Sequence, residues 1–173
     1  MIQKTALKFG LISGGIQALI MIFFTQKMLE TKSSLGQSEL IGYGVMLVAL
    51  SLIFLGIREH KIKTLGGIIS FKEAVKVGGL IALFAALIYT FTWILITEFN
   101  PALHESIANM YIKDIQNKGL TDMELQTALS EVEQTMENYK KPLFKFGITM
   151  MEILPLGLIV SLISSIILRT KNQ

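Results

Sequence analysis

The segment VGGLIALFAALIYTFTWILIT, residues 77–97, contains no charged side chain. A helix rises about 1.5 Å per residue, so the segment is long enough to cross the ~30 Å hydrocarbon layer of a bilayer. Lys76 precedes it, and Glu98 and Pro101 follow it, so the apolar run has polar limits at both ends. This pattern predicts a membrane-spanning α-helix.

Three other segments have the same character, and the predicted spans cover about residues 6–26, 40–57, 75–97 and 146–168. The composition agrees, because 51% of the residues are hydrophobic and only 17% are charged, whereas soluble domains carry about 25% charged residues. No small-residue cleavage pattern follows Phe24, so we expect the first span to remain as an anchor. We predict an all-α integral membrane protein with four transmembrane helices and a single membrane domain over residues 1–173.

The sequence contains few of the residues from which catalytic or metal sites are built. It has no cysteine, which excludes disulfides and thiolate chemistry. His60 and His104 stand alone in polar segments, and we expect both to be solvated loop residues. Phosphate-binding loops and nucleophile elbows are also missing from the sequence. We therefore expect no catalytic residues, no cofactor and no metal, and a protein that is not an enzyme.

The polar segment before the last span has two helix-start signals. Pro101 is suited to the first position of a helix, and Thr121 with Glu124 three residues later forms a capping box. Each start is followed by an apolar stripe at helical spacing. We predict a helical hairpin over about residues 100–141, between spans 3 and 4, whose stripes cover each other. A binding surface for a partner is the alternative use of these stripes.

The positive charges indicate which side of the membrane the loops occupy. Nine Lys and Arg residues lie on the side of the termini: Lys4, Lys8, Arg58, Lys61, Lys63, Lys72, Lys76, Arg169 and Lys171. Seven lie opposite: Lys27, Lys32, Lys113, Lys118, Lys140, Lys141 and Lys145. The nine occupy shorter loops, so we predict cytoplasmic termini and an extracytoplasmic hairpin. Tyr89 and Trp93 are then expected near the outer interface.

Small residues recur every four positions on three of the spans, and such rows let helices in lipid approach closely. The rows are Gly10, Gly14 and Ala18; Gly78, Ala82 and Ala86; and Gly157, Ser161 and Ser165. We expect them to pack against one another within the chain rather than between copies. Span two has no such row and is expected nearer the periphery.

Glu152 is the one carboxylate inside the last span, and ionisable groups in lipid are costly. At 1.5 Å per residue it would lie ~9 Å below the outer boundary, at a depth similar to Tyr43 and Thr92. Lys145 is seven residues earlier and is expected to lean toward it. In one interpretation the carboxyl hydrogen-bonds to these hydroxyls, or is protonated, and fixes span four in register. In the other it is a proton or cation relay in a transport path. Gln17 would lie about 9 Å deeper.

Two segments carry a family resemblance. The first comprises residues 56–58 and 66–74, which read GIR and GGIISFKEA, and the second comprises residues 152–165, which read EILPLGLIVSLISS. Both resemble the bacterial membrane family catalogued as domain of unknown function 4199. The resemblance implies a protein of the bacterial cytoplasmic membrane with a polar insertion before the last span. It implies no activity and transfers no functional residue.

The sequence thus favours a multi-pass inner-membrane protein with a non-enzymatic structural, assembly or envelope-partner-binding role. The expected partners are the lipid bilayer and an envelope protein that contacts the 100–141 hairpin. The net charge of +3 is assigned to the basic residues that flank the spans, not to nucleic-acid binding. The alternative function is a small transporter or channel component that uses Glu152.

Overall fold

The computed structural model describes residues 2–30 and 35–170. Its elements in chain order are α1 (Ile2–Glu30), α2 (Leu35–Leu50), α3 (Leu52–Glu59), a π-helical segment (His60–Thr64), α4 (Phe71–Phe99), α5 (Pro101–Gln116), α6 (Asp122–Tyr139) and α7 (Pro142–Leu168). The described part of the chain contains no strand. The predicted all-α class is therefore confirmed.

Four helical segments are long and apolar enough to cross a membrane: Ile2–Lys27, Leu40–Thr64, Phe71–Phe99 and Pro142–Leu168. The prediction of four transmembrane helices is therefore confirmed. The second segment is interrupted at Ser51, where α2 ends and α3 begins. The Ser51 hydroxyl donates to the Val48 carbonyl at 2.6 Å, a local bond that competes with the regular helical ladder. The division of the chain into a single membrane domain stays a prediction.

The interior of the bundle is mostly apolar but also contains buried polar groups, and large apolar side chains cover its outer surface. Ser13, Thr90 and Ser165 are buried, whereas Leu19 is 70% and Val48 74% exposed. Buried hydroxyls find acceptors in the bundle, since Ser13 Oγ donates to the Ala49 carbonyl at 2.8 Å. The outer surface therefore suits hydrocarbon as its solvent.

The helix α4 is central and packs most extensively against α1 and α7. Its row of small residues meets the row of α7: a Cβ added at Gly157 would lie 2.8 Å from Ala82 Cβ, and one at Gly78 only 2.3 Å from Ser161 Oγ. The row of α1 meets larger side chains, with Phe84 Cβ at 2.5 Å from a Cβ added at Gly10. The rows of α4 and α7 therefore pack against each other as expected, whereas the row of α1 packs against large side chains of α4 and not against another row.

The expectation that span two lies at the periphery is wrong for its second half. In α3, Ile53, Gly56 and Ile57 are buried against the neighbouring helices. A Cβ added at Gly56 would lie 2.5 Å from Ile81 Cδ1 of α4. A single small residue at a crossing point allows close approach without a repeated row.

At one end of the bundle, the start of α1 and the end of α7 both contact residues 59–69, which precede α4. Lys8 Nζ pairs with Glu59 Oε1 at 2.9 Å, and Lys61 Nζ donates to the Leu168 carbonyl at 2.8 Å. The Thr170 N–H donates to the Ile69 carbonyl at 2.9 Å. Two residues of the predicted charge count, Lys32 and Lys171, lie outside the described residues.

The helices α5 and α6 lie at the opposite end and contact each other. Pro101 is at the first position of α5, as predicted. At the start of α6, the Thr121 N–H donates to Glu124 Oε2 at 3.0 Å, which is the predicted capping interaction. That this pair lies outside the cytoplasm stays a prediction.

The close contact of α1 with α4 predicts opposite effects for two neighbouring glycines. Gly10→Ala places a methyl group against Phe84 Cβ and should lower stability by ~1–3 kcal/mol through overpacking. Gly15→Ala adds the same methyl group where no heavy atom lies within 4 Å, so it should be neutral or stabilising by up to ~1 kcal/mol from helix propensity. Thermal unfolding in detergent measures both. Equal melting temperatures would contradict this packing.

Candidate functional site

A cavity of about 730 Å³ lies between the spans at the end of the bundle away from residues 2 and 170. The helices α1, α2, α4 and α7 form its sides, and α5 and α6 contribute to its wall. Small-molecule sites in proteins have volumes of about 300–1,000 Å³ and mostly apolar walls with a few polar groups. The volume is therefore in the range of a binding site.

The wall is mainly apolar, with polar groups from every helix that forms it. These are Gln17, Thr25, Tyr43, Tyr89, Trp93, Tyr111, Thr135, Tyr139, Thr149 and Glu152. The sequence has four tyrosines and one tryptophan, and all five line this one cavity. In a chain with four spans, polar aromatic residues would be expected at both membrane interfaces. Their restriction to one cavity gives it a distinct chemistry.

Two of the three predicted site residues, Glu152 and Tyr43, line this cavity. Both are exposed on the chain, so the cavity opens to the bundle surface beside them. Thr92 is not part of the described wall. Its hydroxyl donates to the Ile88 carbonyl at 2.8 Å, the common bond of a threonine within its own helix. The expected contact of Thr92 with Glu152 is therefore replaced by a bond along α4.

Tyr139 connects α6 to the spans. Its hydroxyl accepts a hydrogen bond from Trp93 Nε1 at 2.9 Å. Its ring meets those of Phe144 and His104 edge-on, with centroid distances of 6.5 and 6.3 Å. Burial in this position raises the pKa of Tyr139, so it remains a neutral hydroxyl. Sequence patterns could not predict this contact, because Trp93 and Tyr139 are 46 residues apart.

Gln17 lies in the same wall although its predicted depth separated it from Glu152. It is 1% exposed, and its Nε2 donates to the Ser13 carbonyl at 3.3 Å. Its Oε1 is buried and has no hydrogen-bond partner among the described residues. Buried polar atoms are normally paired, so a wall residue with an unused acceptor indicates a place for a donor from outside the chain.

Lys145 does not lean toward Glu152, and this prediction is wrong. It is fully buried, with Nζ 2.9 Å from Thr97 Oγ1 and 2.8 Å from Glu98 Oε1. The Cα–Cβ bonds of a helix tilt toward its N-terminus. Lys145 therefore reaches toward the start of α7, where the last turn of α4 carries Glu98. Glu152 lies in the other direction along α7. The pair fixes the end of α4 against α7.

The expectation that both histidines are solvated is wrong for His60. It is 1% exposed, with Nδ1 3.3 Å from Thr5 Oγ1. The connection folds back onto α1, which the local sequence does not reveal. His104 is half-buried against Tyr139, and burial lowers its pKa. Within residues 2–30 and 35–170, no three His, Cys, Asp or Glu side chains lie close enough together to hold a metal ion.

Comparison of the sequence with known protein families identifies one family that matches it. The family described as "Protein of unknown function (DUF4199)" matches residues 8–170, nearly the whole chain. The chain therefore belongs to this family. No curated protein matches it, and no solved structure does.

The Lys145 pair predicts an unequal effect of removing its two members. Glu98→Ala leaves a fully buried ammonium without an opposite charge, which is strongly destabilising. Lys145→Met leaves only Glu98, which is 52% exposed and can be hydrated. Glu98→Ala should therefore lower the melting temperature in detergent more than Lys145→Met, and the double variant should recover most of the loss. The reverse order would contradict the role assigned to this pair.

Proposed function

We propose that this family member is a non-enzymatic membrane protein that binds an amphiphilic molecule in the cavity between its spans. The observation that carries this proposal is the wall itself, an apolar surface around about 730 Å³ with polar groups that include Glu152. The apolar chain of such a molecule can pack against the apolar part of the wall, while the polar groups of the wall hydrogen-bond to its head. No reaction is required of these residues.

The contrast between the two ends of the bundle supports this role. From the end near residues 2 and 170 through the middle of the bundle, helices approach so closely that a methyl group added at Gly78, Gly157 or Gly10 would clash. At the other end, Tyr89 and Trp93 of α4 face an open space that α5 and α6 partly cover. Native bundles normally fill such spaces with side chains. A space kept open between tightly packed spans is suited to a ligand.

For the setting of this site we propose the cytoplasmic membrane of a bacterium, with both termini in the cytoplasm. The support is the density of positive charge near the termini, since residues 58–76 alone hold five Lys and Arg residues. In this orientation α5, α6 and the cavity lie toward the outer face.

A second proposal is that an envelope protein contacts the α5–α6 pair, which would give the chain an assembly role. The observation that favours it is the exposure of α6, which has no buried residue among those described. Its outward face is free in the single chain. Binding of the amphiphile and contact with a partner are compatible, because the cavity and the outward face are different surfaces.

Transport through Glu152 is the remaining candidate, and the position of this carboxylate in the cavity wall favours it. A relay would require the carboxyl to gain and lose a proton during transport. In vesicles, Glu152→Gln should then abolish a proton-coupled flux. An unchanged flux in this variant would reject a relay at Glu152.

The cavity can be tested with the chain's own fluorescence, because its single tryptophan, Trp93, lines the wall. A brominated single-chain amphiphile that enters the cavity should quench Trp93 in a saturable manner. Gly42→Leu should weaken this binding, since Gly42 lines the cavity and has open space beyond its Cα. We expect a loss of about tenfold, which corresponds to ~1.4 kcal/mol.

Gly44→Leu is the matched control for this variant. Gly44 lies on the same helix, also has open space at its Cβ position, and is not part of the described wall. Its binding curve should equal that of the wild type. If Gly42→Leu and Gly44→Leu bind the amphiphile alike, or if quenching never saturates, the cavity is not the binding site.

Orientation and partner contact can be tested together, because the natural chain has no cysteine. Ser130→Cys on the exposed surface of α6 and Lys63→Cys near the other end each provide a single thiol. A membrane-impermeant maleimide that carries a photocrosslinker should label intact cells only at Ser130→Cys. Labelling of Lys63→Cys instead would reverse the orientation. Labelling without a crosslinked second protein would reject the partner.

A further inference from the structure

We propose that the end of the bundle formed by residues 2–8, 58–76 and 168–170, called the basic end below, binds the headgroups of anionic phospholipids along its sides. This end lies away from the cavity, so the inference goes beyond the proposed function and does not depend on it. Three observations support it: an excess of positive charge, the position of the cations within the spans, and an exposed apolar turn between them.

The first observation is positive charge that the chain itself does not neutralise. The basic end holds eight Lys and Arg residues and two carboxylates, Glu59 and Glu73. Lys8 and Lys63 share Glu59, with their Nζ atoms 2.9 and 3.4 Å from its oxygens. Four cations have no carboxylate within 4.0 Å among the described residues, and these are Lys4, Arg58, Lys72 and Lys76. Their charge is available to an anion from outside the chain.

The opposite end of the bundle has no such excess. Residues 98–145 hold five lysines and eight carboxylates. Three of the lysines there pair with a carboxylate of the chain, in the pairs Lys118–Asp114, Lys140–Glu137 and Lys145–Glu98. Unneutralised positive charge is therefore a property of the basic end, and it favours a negatively charged partner there.

The position of the four cations indicates that this partner is a lipid. Lys72 and Lys76 lie in the first two turns of the span Phe71–Phe99, and Lys4 and Arg58 lie within about two turns of the ends of Ile2–Lys27 and Leu40–Thr64. All four are exposed. Cations in the terminal turns of a span extend their long side chains to the headgroup layer. What contacts them from the side of the bundle is therefore a lipid headgroup.

A turn before α4 adds apolar contact at the same end. Gly66 and Gly67 have φ angles of 65° and 98°, which favour glycine, and the Gly67 N–H donates to the Lys61 carbonyl at 2.8 Å. On either side of this turn, Ile62 is 55% and Ile68 69% exposed. Acyl chains below the headgroups can cover such side chains, whereas water cannot do so favourably. Cations next to exposed apolar side chains suit the membrane interface.

The sign of the charge selects the class of phospholipid. Each Lys or Arg near an anionic lipid surface strengthens binding by about fivefold. Phosphatidylglycerol carries a net negative charge, whereas phosphatidylcholine carries an ammonium group that cancels its phosphate. The basic end should therefore prefer phosphatidylglycerol.

The experiment titrates the full-length protein in neutral-detergent micelles with phosphatidylglycerol and with phosphatidylcholine of the same two acyl chains. Native mass spectrometry measures the lipid that remains bound. We expect phosphatidylglycerol to bind about tenfold more tightly, and its advantage to shrink as the ionic strength rises, because exposed charges are screened. Glycerol phosphate, which has the headgroup chemistry without acyl chains, should not displace it at equal concentration.

Lys72→Gln combined with Lys76→Gln should weaken binding of phosphatidylglycerol by about tenfold and leave binding of phosphatidylcholine unchanged. The unchanged phosphatidylcholine affinity also shows that the variant is folded. The matched control is Lys113→Gln combined with Lys141→Gln, which removes the same charge from exposed lysines at the opposite end and should keep the full preference. Ile68→Ser should weaken binding of both lipids equally, because it removes apolar contact and no charge.

Equal binding of the two lipids by the wild type would overturn the inference. Equal losses in the two double variants would also overturn it, because the preference would then follow the net charge of the protein and not this surface. Displacement by glycerol phosphate would reject a lipid as the partner. Gly42→Leu, which tests the cavity, should leave phosphatidylglycerol binding unchanged, so failure of the proposed function and failure of this inference are distinguishable.

Discussion

Close approach of backbones at small residues is the constraint on which this bundle depends. Helices surrounded by lipid gain no hydrophobic free energy by touching. Their association is instead stabilised by van der Waals packing and interhelical hydrogen bonds. Gly157 faces Ala82, Gly78 faces Ser161, and Gly10 faces Phe84 at distances that leave no room for another methyl group. These contacts make α4 the centre of the bundle, with α1 and α7 on either side.

The same constraint explains why the two ends of the bundle differ. Where small residues meet, the helices are in close contact. Toward the other end, α4 carries Tyr89 and Trp93 in place of small residues, and these rings line the cavity wall. The helix α6 then attaches through Tyr139, whose hydroxyl accepts from Trp93. Trp93 therefore both lines the cavity and attaches α6 to the spans.

Two charged groups near this end have different environments. Lys145 is enclosed by Thr97 and Glu98, so its charge is used to join α4 to α7. Glu152 faces the cavity and the bundle surface, together with hydroxyl groups and aromatic rings. The first arrangement is structural, and the second places a carboxylate in the wall of the cavity.

The sequence by itself determined the four spans, the helix starts at Pro101 and Thr121, and the position of Glu152 as an ionisable residue inside a span. Each follows from interactions within one segment, namely chain length against bilayer thickness, local capping, and the cost of a charge in lipid. The tertiary structure decided the rest. It buried His60, turned Lys145 toward Glu98, kept Thr92 within its own helix, and brought Gln17 into one wall with the five polar aromatic residues. These outcomes depend on which faces of distant helices meet, and helical spacing along one segment does not contain that information.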